Sequence, residues 1–83
     1  MLKTKVTKQT VQQAVEYHAQ DNKGLAPVIE GDSDLIDWLR YVLADVGGLS
    51  EEEAAALTIT VTGDDVVIGG NSAVMDAVRM ELL

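Results

Sequence analysis

Two periodicities divide this chain. Leu57, Ile59 and Val61 alternate with Thr58, Thr60 and Thr62, the pattern of a half-buried strand rich in β-branched residues. Leu35, Ile36, Leu39, Val42, Leu43 and Val46 instead recur at helical spacing and form one broad apolar face. The strand pattern resumes after Gly-Asp-Asp with Val66, Val67 and Ile68, and the buried face decides its register. A two-residue Gly63-Asp64 turn pairs Val61 with Val66 and Ile59 with Ile68, keeping all four on one side. A three-residue loop would move Val66 and Ile68 to the other face. Glycine in the first central position is what a type II′ turn requires. A hairpin over 57–62 and 66–69 is therefore predicted.

The helix over 33–46 has Asp32 or Ser33 as its expected cap, Asp34 in a first turn that favours negative charge, and Gly47-Gly48 as its stop. An earlier helix starts at Thr7 or Thr10 and runs to about Asn22, with Thr10-Val-Gln-Gln13 in the form of a capping box. Its apolar face is thin: Val11, Ala14, Val15, His18 and Ala19. Ser50-Glu-Glu-Glu53 opens a short third helix, with Leu49 placed to staple against Ala54. A last helix, capped by Asn71 or Ser72, turns Val74, Met75, Val78 and Leu82 inward. Leu2, Thr4 and Val6 alternate with Lys3 and Lys5, which predicts an edge strand at 2–6. A second short strand at 28–30 is expected to sit at an edge, because Pro27 cannot donate to a ladder. The fold class is α+β: one domain over 1–83, three to four short helices packed on a β-hairpin, with extra edge strands at 2–6 or 28–30.

Composition narrows this further. The chain has 83 residues and no cysteine, so neither a disulfide nor a thiolate metal site holds it together. Its apolar share of 47% is that of a folded chain rather than a disordered one. The core is light, with no Phe and only Tyr17, Trp38 and Tyr41 as aromatics. A scaffold this short is stabilised by only about 3–5 kcal/mol, which leaves room for oligomerisation or a partner to add to it. No apolar run is long enough to span a bilayer, and "MLKTKVTKQT" lacks the apolar region of a signal peptide. A soluble, cytoplasmic protein with no membrane association is the expectation.

Charge is unevenly spread within a net of −8. Residues 1–15 carry Lys3, Lys5 and Lys8 and no acid, whereas residues 16–83 set Lys23, Arg40 and Arg79 against all fourteen acids. So acidic a body repels phosphate backbones and disfavours direct nucleic-acid binding. It suits a basic protein surface, or serves solubility alone.

The candidate chemistry mostly resolves into structure. Asp64 and Asp65 are adjacent at a hairpin tip, where neighbouring side chains diverge and cannot readily share one cation. Gly69-Gly-Asn-Ser72 offers backbone N–H groups before a helix but matches no phosphate-loop pattern and lacks its lysine. His18 is the only histidine and lies on an apolar face, without a second ligand or a nucleophile to activate. No catalytic residue, metal site or cofactor is expected, and the chain reads as non-enzymatic.

The stretch "EGDSDL" (30–35) resembles the Asp-Ser-Leu motif of acyl carrier proteins, in which the serine opens the second helix and bears a phosphopantetheine arm. Length, acidity, a preceding helix and a short third helix agree with that resemblance over about residues 7–56. It implies modification at Ser33. Asp34 stands between Ser33 and Leu35, the hairpin replaces the family's fourth helix, and Asp-Ser before a helix is also ordinary capping chemistry.

Trp38 and Tyr41 lie three residues apart, offset from the Leu35/Leu39/Val42 stripe, with Asp34, Asp37 and Asp45 around them. An aromatic pair rimmed by acids is the composition of a contact site for a basic partner, and equally of two rings filling a Phe-free core. The preferred expectation is a non-catalytic acidic protein-binding module with Trp38, Tyr41, Asp34, Asp37 and Asp45 as its contact residues. Its class would be the phage or mobile-element inhibitors that cover a nucleic-acid-binding surface of a host protein by mimicking DNA charge. Two alternatives stand beside it: a carrier-like protein modified at Ser33, and a homo-oligomeric structural subunit joined through its apolar "RMELL" end.

Overall fold

The computed structural model describes residues 2–23 and 29–83, and for residues 20–23 the backbone alone. The element order is β1 (Leu2–Thr7), α1 (Lys8–Lys23), α2 (Asp32–Tyr41), a π-helical segment (Val42–Val46), α3 (Glu51–Ala56), β2 (Thr58–Thr62), β3 (Asp65–Gly70) and α4 (Ser72–Glu81). Among the described residues the strands form one antiparallel sheet in the order β1-β3-β2. The α+β class, the hairpin and the edge strand at the N-terminus are all present.

The hairpin takes the register that burial demands. Val61 faces Val66 and Ile59 faces Ile68, with Thr62 and Asp65 closing a two-residue turn. Gly63 has φ +60° and, among the described residues, no non-glycine residue has positive φ, the combination a type II′ turn needs. β1 adds on the other side of β3, with Val6 opposite Val66 and Thr4 opposite Ile68. Three rows of side chains therefore share each face. Val6, Val66 and Ile68 are buried on one face against Val11, Val15, Leu39, Leu43, Val74 and Val78 of the helices. On the other, Lys3, Lys5, Thr7, Thr58, Thr60 and Thr62 are exposed, so helices cover one side of the sheet only. Among the described residues no polar side chain is buried and no buried side-chain donor or acceptor lacks a partner. None of the helices among them is long and apolar enough to cross a membrane.

Several local expectations are corrected. α1 begins directly after β1, and its cap is Thr7 rather than Thr10: the Thr10 N–H donates to Thr7 Oγ1 at 3.2 Å. The Lys8 N–H reaches past the helix to the Asp64 carbonyl at 2.8 Å, which pins the hairpin tip against the start of α1 and leaves the expected capping box unformed. α2 starts one residue earlier than expected. Gly31 is its N-cap and neither Asp32 nor Ser33 supplies a side-chain cap. Asp34 instead accepts the Glu30 N–H at 3.0 Å, holding the incoming chain from inside the first turn. Residues 29–30 are not in a strand, and the remainder of the expected 28–30 strand, with Pro27, lies outside the described residues. The box at Ser50 forms fully: Ser50 Oγ accepts the Glu53 N–H while Glu53 Oε1 accepts the Ser50 N–H. Asn71 caps α4 through the Val74 N–H at 3.2 Å.

Candidate protein-docking groove

The apolar stripe of the second helix is continuous in sequence, but its backbone is not uniform. After Tyr41 the ladder widens, and the Gly47 N–H donates to the Val42 carbonyl five residues back, at 3.0 Å. The Leu49 N–H then closes on the Ala44 carbonyl at 2.9 Å around Gly48, whose φ is +73°. A widened turn inserts an extra residue per turn, so the chain keeps Val42 and Leu43 buried while Tyr41, Ala44 and Asp45 face the side where α3 returns. α3 presents alanines on its near side, and small side chains leave space rather than filling it.

The result is an open groove of about 530 Å³ between α2, the π-helical segment and α3. Tyr41, Ala44, Ala54 and Ala55 supply its apolar lining, and Arg40, Asp45 and Glu51 its charged positions. Trp38 stands edge-on to Tyr41, ring centroids 5.8 Å apart at an interplanar angle of 89°. Both rings are half-buried and pack against the core. The two readings of this aromatic pair, core filler or contact site, therefore meet in the same side chains.

Of the five expected contact residues, the groove takes Tyr41 and Asp45 into its lining and has Trp38 behind Tyr41. Asp37 is exposed on the same helix without lining it, and Asp34 is engaged with Glu30. Arg40, Ala44, Glu51, Ala54 and Ala55 were not among the expected residues, and Arg40 is a cation in a groove expected to be acidic. The signal of the α3 residues was present in the capping box followed by three alanines, which marks a short helix with little to bury.

Ion pairing is unequal over the surface. Lys5 meets Asp65 at 3.8 Å, Lys8 meets Asp32 at 3.1 Å, and Arg79 meets Asp76 at 2.7 Å. Among the described residues, Asp37, Asp45, Glu51 and Glu52 enter no ion pair, and Arg40 in the groove lining offsets part of their field.

The other candidates are placed as follows. Asp64 sits in the turn and Asp65 in β3 beside Lys5, so the two carboxylates serve different surroundings. His18 is half-buried, 3.0 Å from Glu81 Oε2 and edge-on to Tyr17, which ties α1 to the end of α4. Ser33 is exposed in the first turn of α2. Among the described residues no group of three or more His, Cys, Asp or Glu is arranged to hold a metal ion. Comparison with family models, with curated proteins and with solved structures gives no significant match to this chain.

Proposed function

We propose that this chain is a non-catalytic binding module that docks on a basic surface of another protein through the α2–α3 groove. The observation that supports this reading is the groove itself: a half-buried Tyr41 beside small alanines, bordered by carboxylates without intramolecular partners. An aromatic anchor with exposed apolar neighbours gives area to a contact, and unpaired acids steer a cationic partner toward it. On this reading the protein works in the cytoplasm as an inhibitor of the phage or mobile-element kind, covering a nucleic-acid-binding site by presenting DNA-like charge.

The test is a titration of the isotope-labelled protein with a synthetic basic amphipathic peptide, followed residue by residue by NMR. Shifts should concentrate on Tyr41, Ala44, Ala54 and Ala55, and binding should weaken steeply with added salt. Asp45→Lys with Glu51→Lys should reduce affinity about tenfold or more while leaving stability within about 0.5 kcal/mol, because both positions are solvent-facing. Shifts centred elsewhere, or affinity indifferent to both salt and charge reversal, would sink the proposal. The carrier alternative rests on exposed Ser33. Co-expression with a broad phosphopantetheinyl transferase should then raise the mass of the wild type and not of Ser33→Ala; an unchanged wild-type mass removes it.

A further inference from the structure

Two helices carry an aspartate three residues before an arginine, and they use the pair differently. On α4 the Arg79 guanidinium closes on Asp76 at 2.7 Å. On α2, Asp37 and Arg40 have the same order and spacing, yet among the described residues neither enters an ion pair. Arg40 instead lines the α2–α3 groove beside Tyr41. An arginine in a last helical turn often serves the open carbonyl end. Arg40 has no such end to serve, because the helix continues from Tyr41 into the π-helical segment. Its fork of N–H donors is left for what enters the groove.

The charges of the groove are also ordered along it. Arg40 precedes Asp45 by roughly a turn and a half of helix. The Leu49 N–H is bonded to the Ala44 carbonyl, so α3 enters at Glu51 from the Asp45 end. β2 follows α3 directly and packs against α2, so Ala54 and Ala55 run back toward that helix. One end of the groove is cationic and the other carries two carboxylates, with Tyr41 and the alanines as apolar lining.

We infer that the groove takes a helical segment of the partner bearing both charges: a carboxylate that meets Arg40, and lysine or arginine roughly a turn and a half away that meets Asp45 and Glu51. This rests on the docking reading above and narrows it. Guanidinium and carboxylate meet through two parallel N–H···O bonds, which a neutral side-chain amide reproduces only in part. A segment that is cationic throughout sets a like charge against Arg40. A surface built solely to hold phosphates is therefore the poorer fit, and Arg40 is the residue that rejects it.

Synthetic amphipathic peptides that differ at one position test this. The first places Glu a turn and a half from a pair of lysines; the second places Gln there, and the third Lys. Affinities for the full chain are read at low salt by NMR titration. The wild type should bind the Glu peptide about fivefold more tightly than its Gln twin, and the Lys peptide least. Arg40→Gln should abolish the preference for Glu over Gln, and Arg40→Glu should invert the order so that the Lys peptide binds best. Arg40 is exposed, so circular dichroism should be the same for all three proteins. Shifts on Tyr41 and Ala54 with equal affinity for the Glu and Gln peptides overturn this inference and leave the docking reading standing. A preference for Glu that survives in Arg40→Gln does the same. A wild type that binds none of the peptides overturns both.

Discussion

The hairpin with α4 and the run from α2 to α3 are of similar length, yet they are stabilised in different ways. In the first, local and long-range preferences agree. A glycine turn sets the register, the register puts Val66 and Ile68 inside, and Asn71 caps the helix that covers them. In the second, the Ser50 box before α3 forms as its sequence directs, but the preferences of α2 are set aside one after another. α2 has no side-chain cap, its carboxylate at Asp34 holds the preceding chain, and its last turn opens into a π-helix. The last of these departures, the π-helical turn, borders the groove. Local rules are commonly relaxed where a protein meets something else, and the contrast between the halves is the physical reason for looking there.

The strongest challenge to the comparison is a cavity in the consistent half. Ile68→Ala removes fully buried methyl and methylene groups and should cost about 2–5 kcal/mol, a large part of the stability of so small a domain. Trp38 fluorescence reports the other half. Circular dichroism and fluorescence transitions should shift together in denaturant; a fluorescence transition left in place would show that the halves unfold separately. Gly47→Ala probes the seam between them. An added Cβ would press on the Leu43 carbonyl oxygen and come within 3.1 Å of the Ala77 Cβ, so about 1–3 kcal/mol should be lost in chemical denaturation.

The caps sharpen the contrast at smaller scale. Asn71→Ala and Ser50→Ala each delete an acceptor that satisfies a helix N–H, and each should cost about 1 kcal/mol. Ser33→Ala, at a helix start of similar sequence, should change stability by less than about 0.5 kcal/mol, since Ser33 caps nothing. A loss at Ser33 equal to that at Asn71 would mean that α2 starts as the sequence suggests.

What the sequence conveyed follows that division only in part. The hairpin register was legible because a one-residue slip would expose Val66 and Ile68, and only one alignment avoids it. The Ser50 and Asn71 caps were legible because each is satisfied within four residues. Thr7 and Thr10 stayed open as alternative starts because both are threonines ahead of the same helix. The choice was made by the Lys8 N–H, which bonds to Asp64 at the far end of the sequence pattern. The π-helical turn left no trace, since Leu39, Val42, Leu43 and Val46 suit an α-helix equally well. The aromatic pair with Asp45 could be read from spacing, but the alanine side of the groove depends on how closely α3 returns, a tertiary fact.

β1 pairs with residues that leave the ribosome roughly sixty positions after it, a delay of about 3–12 seconds at ordinary rates of synthesis. The hairpin closes within microseconds of emerging, so β1 is the strand that waits. Throughout that interval its backbone lacks the strand it will pair with. Lys3 and Lys5, on the open face of the finished sheet, also give the unpaired segment like charges that disfavour its pairing with the same segment of another chain during that interval.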